Sequence, residues 1–138
     1  MLKNLFMSGC LAVSLFINPA YSASQDECAI WICIPGGFPS GCGDAYSAML
    51  KRVRDFKSPL PGFSSCSVDG SSGSMSSRDG RAARMGNGES WLKNTYCRRY
   101  GNAESGYRTS PRGCTGTGYY AEVYDSGQQM GETYYFMP

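Results

Sequence analysis

Apolar residues along this chain gather in a few patterned stretches, set apart by segments rich in Gly, Pro and Ser. The first runs from Leu5 to Ile17, behind Lys3 and ahead of the small residues Ala20, Ser22, Ala23 and Ser24. A positive start, a short apolar core and a small-residue end predict an export signal over residues 1–24. The apolar core is 13 residues, shorter than the about 20 that cross a bilayer. From Gln25 to Ile34, β-branched and aromatic residues (Ile30, Trp31, Ile32, Ile34) predict a short strand that stops at Pro35-Gly36-Gly37. Asp44 to Lys57 predicts a helix. Its Tyr46, Met49, Leu50, Val53 and Phe56 recur at helical spacing, with Lys51, Arg52 and Asp55 on the opposite, wet side. Asp44 can cap its first turn and Ser58-Pro59 ends it.

Beyond the rigid Pro59–Phe63 segment the pattern weakens. Ser67 to Gly80 is Ser- and Gly-rich with almost nothing to bury, which predicts a flexible loop. A second helix is expected from Glu89 to Tyr100, with Trp91, Leu92, Tyr96 and Tyr100 on a broad apolar side and Gly101 at its end. Residues 101–118 read as irregular. The end reads as a hairpin, Gly118 to Tyr124 and Gln128 to Phe136 about a turn at Asp125-Ser126-Gly127. The fold class expected is a small disulfide-stabilised α+β domain over residues 25–138, with one or two helices and a short antiparallel sheet.

Cysteine content changes the picture of stability. Export places the chain in an oxidising space, so Cys28, Cys33, Cys42, Cys66, Cys97 and Cys114 read as disulfide partners. Six cysteines allow about 15 pairings, and sequence leaves them open. Leu, Ile and Val are scarce beyond the signal, so cross-links must supplement a thin core. Cys10 follows Met7-Ser8-Gly9, a faint likeness to a lipoprotein processing site, but only Leu5 and Phe6 precede it as apolar residues. Cleavage after Ser22 or Ser24 is the expected route, giving a periplasmic or secreted chain with no transmembrane segment left.

Charge is nearly balanced overall but uneven along the chain. Apart from Lys3, every basic residue lies between Lys51 and Arg112, where 12 bases meet five acids; the flanking stretches carry acids alone. The middle could face an anionic surface: lipid headgroups, cell-wall polymers, nucleic acid or an acidic partner. The competing reading is a set of solvated loops balanced by the acidic ends.

The chain has no histidine, which excludes Ser-His-Asp and Cys-His nucleophile systems and mixed Cys/His zinc sites. It has no Cys-x-x-Cys pair either, so neither a thiol oxidoreductase nor an all-Cys zinc site is expected. The Gly-rich stretches lack the Gly-Lys-Ser/Thr ending of a phosphate loop. A wall-degrading enzyme needs two carboxylates flanking a sugar bond. Glu89, at the start of the expected helix before Trp91, is the one candidate acid, and the helix dipole explains it more simply. Tyr119, Tyr120, Tyr124, Tyr134 and Tyr135 crowd the C-terminal end. They read either as a contact surface or as replacements for missing aliphatics. Arg98 and Arg99 beside Tyr96 and Tyr100 read as an anion-binding face or a solvated helix side.

The segment Cys28-Ala-Ile-Trp-Ile-Cys-Ile-Pro-Gly-Gly-Phe-Pro-Ser-Gly-Cys42, continuing through Gly-Asp-Ala-Tyr to Phe-Lys-Ser-Pro-Leu-Pro-Gly-Phe-Ser-Ser-Cys66, resembles small exported proteins encoded among conjugal transfer genes of Gram-negative plasmids and integrative elements, the KikA/TraL-like group. The likeness covers residues 28–66 and not the tail. It implies an accessory role in conjugation beside a type IV secretion apparatus, with Cys28, Cys33, Cys42 and Cys66 as framework cysteines. It carries no catalytic residue, metal or cofactor. The expected mode is binding to an envelope or secretion-system protein, or to an anionic envelope surface, rather than to nucleic acid. Candidate contact residues are Lys51, Arg52, Arg98, Arg99, Tyr119, Tyr124 and Tyr134. A small peptidoglycan hydrolase and a secreted toxin or competition effector are the alternatives.

Overall fold

A computed structural model describes residues 23–138; residues 1–22, which hold Cys10 and nearly all of the predicted export signal, lie outside the described residues. Two helices, α1 (Gln25–Cys33) and α2 (Gly43–Arg54), precede six strands: β1 (Met75–Met85), β2 (Trp91–Lys93), β3 (Arg98–Asn102), β4 (Gly106–Ser110), β5 (Cys114–Asp125) and β6 (Gln128–Phe136). The expected α+β class, with three disulfides and a C-terminal hairpin, is what the chain forms.

Its first segment is a helix, not the expected strand. Ser24 caps it, its hydroxyl accepting from the Glu27 amide at 3.1 Å, with Asp26 and Glu27 in the first turn. That is the Ser-x-x-Glu signature of a helix start. Burial follows the same logic: Ile30, Trp31, Cys33 and Ile34 are covered while Ile32 is 81 % exposed. A strand would have put Ile30, Ile32 and Ile34 on one face. Helix α2 lies where the spacing predicts, but ends at Arg54, short of Lys57. Its cap residue is Cys42, without a side-chain hydrogen bond, and Asp44 sits in the first turn, where the dipole favours an acid. Ala45, Met49 and Val53 form the buried stripe, whereas Phe56, beyond the helix end with φ +59°, is exposed.

The disulfide Cys33–Cys42 joins the end of α1 to the start of α2, and Cys28–Cys66 ties α1 to the end of a 3-10 turn, Phe63–Ser65. The Pro-rich segment between is held by Trp31, whose indole N–H donates to the Pro61 carbonyl at 3.0 Å.

The remaining expectations are corrected by strand pairing. Residues 75–80, read as flexible loop, open β1, which pairs antiparallel with β5 from Met75↔Asp125 to Met85↔Cys114. The expected helix over Glu89–Tyr100 is instead β2, a link through Asn94 at φ +57°, and β3. Residues 101–118, read as irregular, hold β4 and the start of β5. Pairing and half-burial decide strand formation more than residue preference does. The hairpin of β5 and β6 turns on Ser126 and Gly127, both at positive φ, as a two-residue type I′ turn demands.

The main sheet has the order β2-β1-β5-β6, and β3 with β4 makes a separate two-stranded sheet. Alternation along β5 sends Ala121 and Val123 toward the helices, where they join Phe136, Ile30, Ile34, Met49 and Val53 in the core. At the core's edge, between Ala121 and Val123, the register slips, so that β6 spends Gly131–Thr133 against Glu122 alone. This bulge lets Gly131 press on the turn after α1. A Cβ there would lie 2.2 Å from the Pro35 carbonyl oxygen, at a φ of +72°. Gly131→Ala is therefore expected to cost about 3 kcal/mol through clash and backbone strain together. Thermal unfolding checks it, and an unchanged midpoint would show that the Pro35 turn is not packed against β6.

Candidate binding surface

The predicted contact residues are distributed over separate parts of the molecule. Arg52 is not on the wet side of α2: it pairs with Glu27 of α1 and donates to the carbonyls of Ser58 (2.8 Å) and Leu60 (3.2 Å). Its side chain is only 15 % exposed, and it works as a clasp between both helices and the Pro-rich segment. Lys51 is exposed and pairs with Asp55 one turn on at 2.8 Å. Tyr119 and Tyr134 are half-buried against the core, Tyr119 between Phe136 and the Arg81 guanidinium, Tyr134 against Phe38. Glu89 is exposed in the β1–β2 turn rather than opening a helix.

Tyr124 belongs to the sheet face turned away from the helices, and there it meets the most buried acid of the described residues. Glu122 is 1 % exposed. Its carboxylate accepts from the Lys93 ammonium (2.6 Å), the Thr133 hydroxyl (2.6 Å) and the Tyr124 hydroxyl (2.7 Å). Burial pushes the Glu122 carboxyl up, but those donors outweigh it and hold the group below its ordinary value. The hydrogen bond to Glu122 in turn raises Lys93 and Tyr124. Lys93 also lies 5.3 Å from the Tyr120 ring centre, and Trp91 stacks on Tyr135 at 5.4 Å. No buried side-chain polar atom among the described residues lacks a partner, and around Glu122 that makes a satisfied structural network.

Arg98 and Arg99 stand on the other sheet. In the β3–β4 ribbon every residue is exposed except Thr109. The turn is closed by Asn102, whose side-chain oxygen accepts from the Glu104 (3.0 Å) and Ser105 (2.8 Å) amides. Gly101, at φ +103°, allows the Gly106 carbonyl to come within 2.2 Å of where a Cβ would stand. At its base the disulfide Cys97–Cys114 and the Cys97 amide, donating to Thr117 Oγ1 at 2.8 Å, fix the ribbon to β5. Arg98, Arg99, Arg108 and Arg112 form no ion pair among the described residues, where three pairs occur elsewhere. The Arg99 guanidinium covers the Tyr107 ring at 3.9 Å, and Tyr100 faces Arg108 across the strands.

Tyr107 and Arg108 join the predicted pair only through the fold, as does Arg112, which the sequence marks only as the end of its basic stretch. Their signal was Arg-Arg-Tyr and Tyr-Arg-Thr on either side of Gly-Asn-Ala-Glu-Ser-Gly, two short runs about a turn. The six outer cysteines are consumed in disulfides, and no cluster of three Cys, Asp or Glu among the described residues is arranged to hold a metal ion. Nor is any described helix long and apolar enough to cross a membrane. No protein-family model, curated protein or solved structure matches the chain.

Proposed function

We propose that this protein acts by binding, in the periplasm or outside the cell, as an accessory of bacterial conjugation, with the β3–β4 ribbon as its contact element. One observation carries the binding role: a ribbon exposed on both faces that presents unpaired arginines and tyrosines. A two-stranded ribbon is marginal by itself, and this one is held in place by a disulfide at its base. Arginine and tyrosine are the side chains most often found at the energetic centre of interfaces. Unpaired guanidinium groups favour an anionic face on an envelope or secretion-system protein, or on the envelope itself. The conjugative setting is supported by the resemblance across residues 28–66, and the extracytoplasmic compartment by the three disulfides.

Replacing Arg98 and Arg99 by Glu reverses charge at exposed positions, where stability changes little. The expected result is a fall of about tenfold or more in transfer of the element encoding the protein, since like charges across an interface cost several kcal/mol. The melting temperature should stay unchanged. Undiminished transfer would remove the ribbon from the binding role.

A further inference from the structure

Resting on the ribbon as contact element, we propose that the ribbon carries a site for a phosphomonoester borne on a sugar. A cavity of about 370 Å³ is lined by Tyr100, Tyr107, Arg108, Thr109 and Arg112. Two arginines are among its lining residues and no Asp or Glu is. Each guanidinium offers a planar fork of donors. One fork saturates the two oxygens of a carboxylate, whereas a phosphomonoester has three free oxygens and carries about −1.5 to −2 at neutral pH, enough to engage both.

The surroundings hold this lining in shape. The Gly113 amide donates to Thr109 Oγ1 at 3.1 Å, drawing the turn that bears Arg112 back to β4. Arg99 stacks on Tyr107 and fixes that wall. The cavity exceeds the volume of a bare phosphate and falls in the range of small-molecule sites. Its lining residues are two tyrosines, two arginines and a threonine, with no Leu, Ile, Val or Met to receive an acyl tail. The ribbon tip, Asn102-Ala103-Glu104-Ser105, has no large apolar residue to enter a bilayer. Aromatic faces and hydroxyls suit a sugar ring better than a lipid chain.

Titration of the disulfide-intact protein with glucose 6-phosphate, followed by NMR of the backbone amides, tests the site. Saturable shifts at residues 99–112 are expected, with a Kd of about 1 mM or tighter for a ligand of this size. Binding should weaken as pH falls through about 6, where the monoester gains a proton. Arg108→Ala and Arg112→Ala should each weaken it about tenfold or more, and Arg112→Lys, which keeps charge but loses the fork, should fall between. Inorganic phosphate binding as tightly as the sugar phosphate would overturn the role of the aromatic walls. Vesicles containing phosphatidic acid binding where glucose 6-phosphate does not would reassign the site to lipid. Tighter binding of a single-stranded oligonucleotide, without the pH response, would reassign it to phosphodiesters. Absence of any shift would end the proposal while leaving the charge-reversal result on transfer to decide the ribbon's binding role by itself.

Discussion

Replacing Cys28 and Cys66 together by Ser is expected to lower stability by about 4 kcal/mol, the loop-closure value for their separation. The bridge spans 38 residues, from within α1 past the whole of α2. Small domains have net stabilities of about 5–15 kcal/mol, so this loss is a large share. Near four degrees per kcal/mol, the melting midpoint should drop by about 15 °C. The other bridges span 9 and 17 residues, for which the same relation gives about 2.5 and 3 kcal/mol. The losses of the three double-serine variants should fall from Cys28–Cys66 through Cys97–Cys114 to Cys33–Cys42. A midpoint that moves by under about 3 °C for Cys28 and Cys66 would mean that the α1–α2 core stands without its cross-link. The core gives little ground for that outcome. Its buried members on α2 are Ala45, Met49 and Val53, small or flexible side chains that leave limited apolar area.

Glu122→Ala should cost about 3 kcal/mol, from the penalty of removing one member of a buried charged pair. The value sits at the low end because the Lys93 side chain is 41 % exposed and can turn to water. Thr133 and Tyr124 lose their acceptor as well. The same group sets an acid limit. Its folded-state value lies below the ordinary 4.5, so the ionised form stabilises the fold above that pH. The contribution is lost as pH falls through the folded value, because the unfolded chain takes up the proton first. Lys93 has the opposite sign: raised above 10.5, its contribution is present below that pH and is lost in strong alkali. Denaturant unfolding from pH 7 to pH 3 should therefore show a decline in wild type that is shallower in Glu122→Ala. Parallel declines would mean that other carboxylates control acid unfolding.

The parts of the fold that were legible in the sequence are those where local signals and tertiary pairing agree. Helix α2 has its apolar stripe, and the last hairpin has alternation around Ser126-Gly127. The misread parts are those where pairing decides. Met75–Gly80 has little intrinsic strand preference and becomes a strand because β5 lies alongside. Trp91, Leu92, Tyr96 and Tyr100 mimic a helical face, yet Leu92, Tyr96 and Tyr100 are exposed. For α1 the signal was present in Ser24 and Glu27 but was outweighed by β-branched residues. On the candidate surface, Arg98 and Arg99 could be picked out, but their companions required the β3–β4 register. Arg52 could not be told from a surface base, since only the fold brings Glu27 and the Ser58 and Leu60 carbonyls around it.

Cys33–Cys42 is nested inside Cys28–Cys66, while Cys97–Cys114 stands apart. An oxidant that joined thiols in their order of appearance would produce Cys28–Cys33 and Cys42–Cys66 instead, and only the last bridge correctly. Reaching the native arrangement then takes thiol–disulfide exchange, slow without catalysis. Under such an oxidant an isomerase would speed maturation of the helical half, whereas the ribbon's own clasp would close correctly at the first attempt.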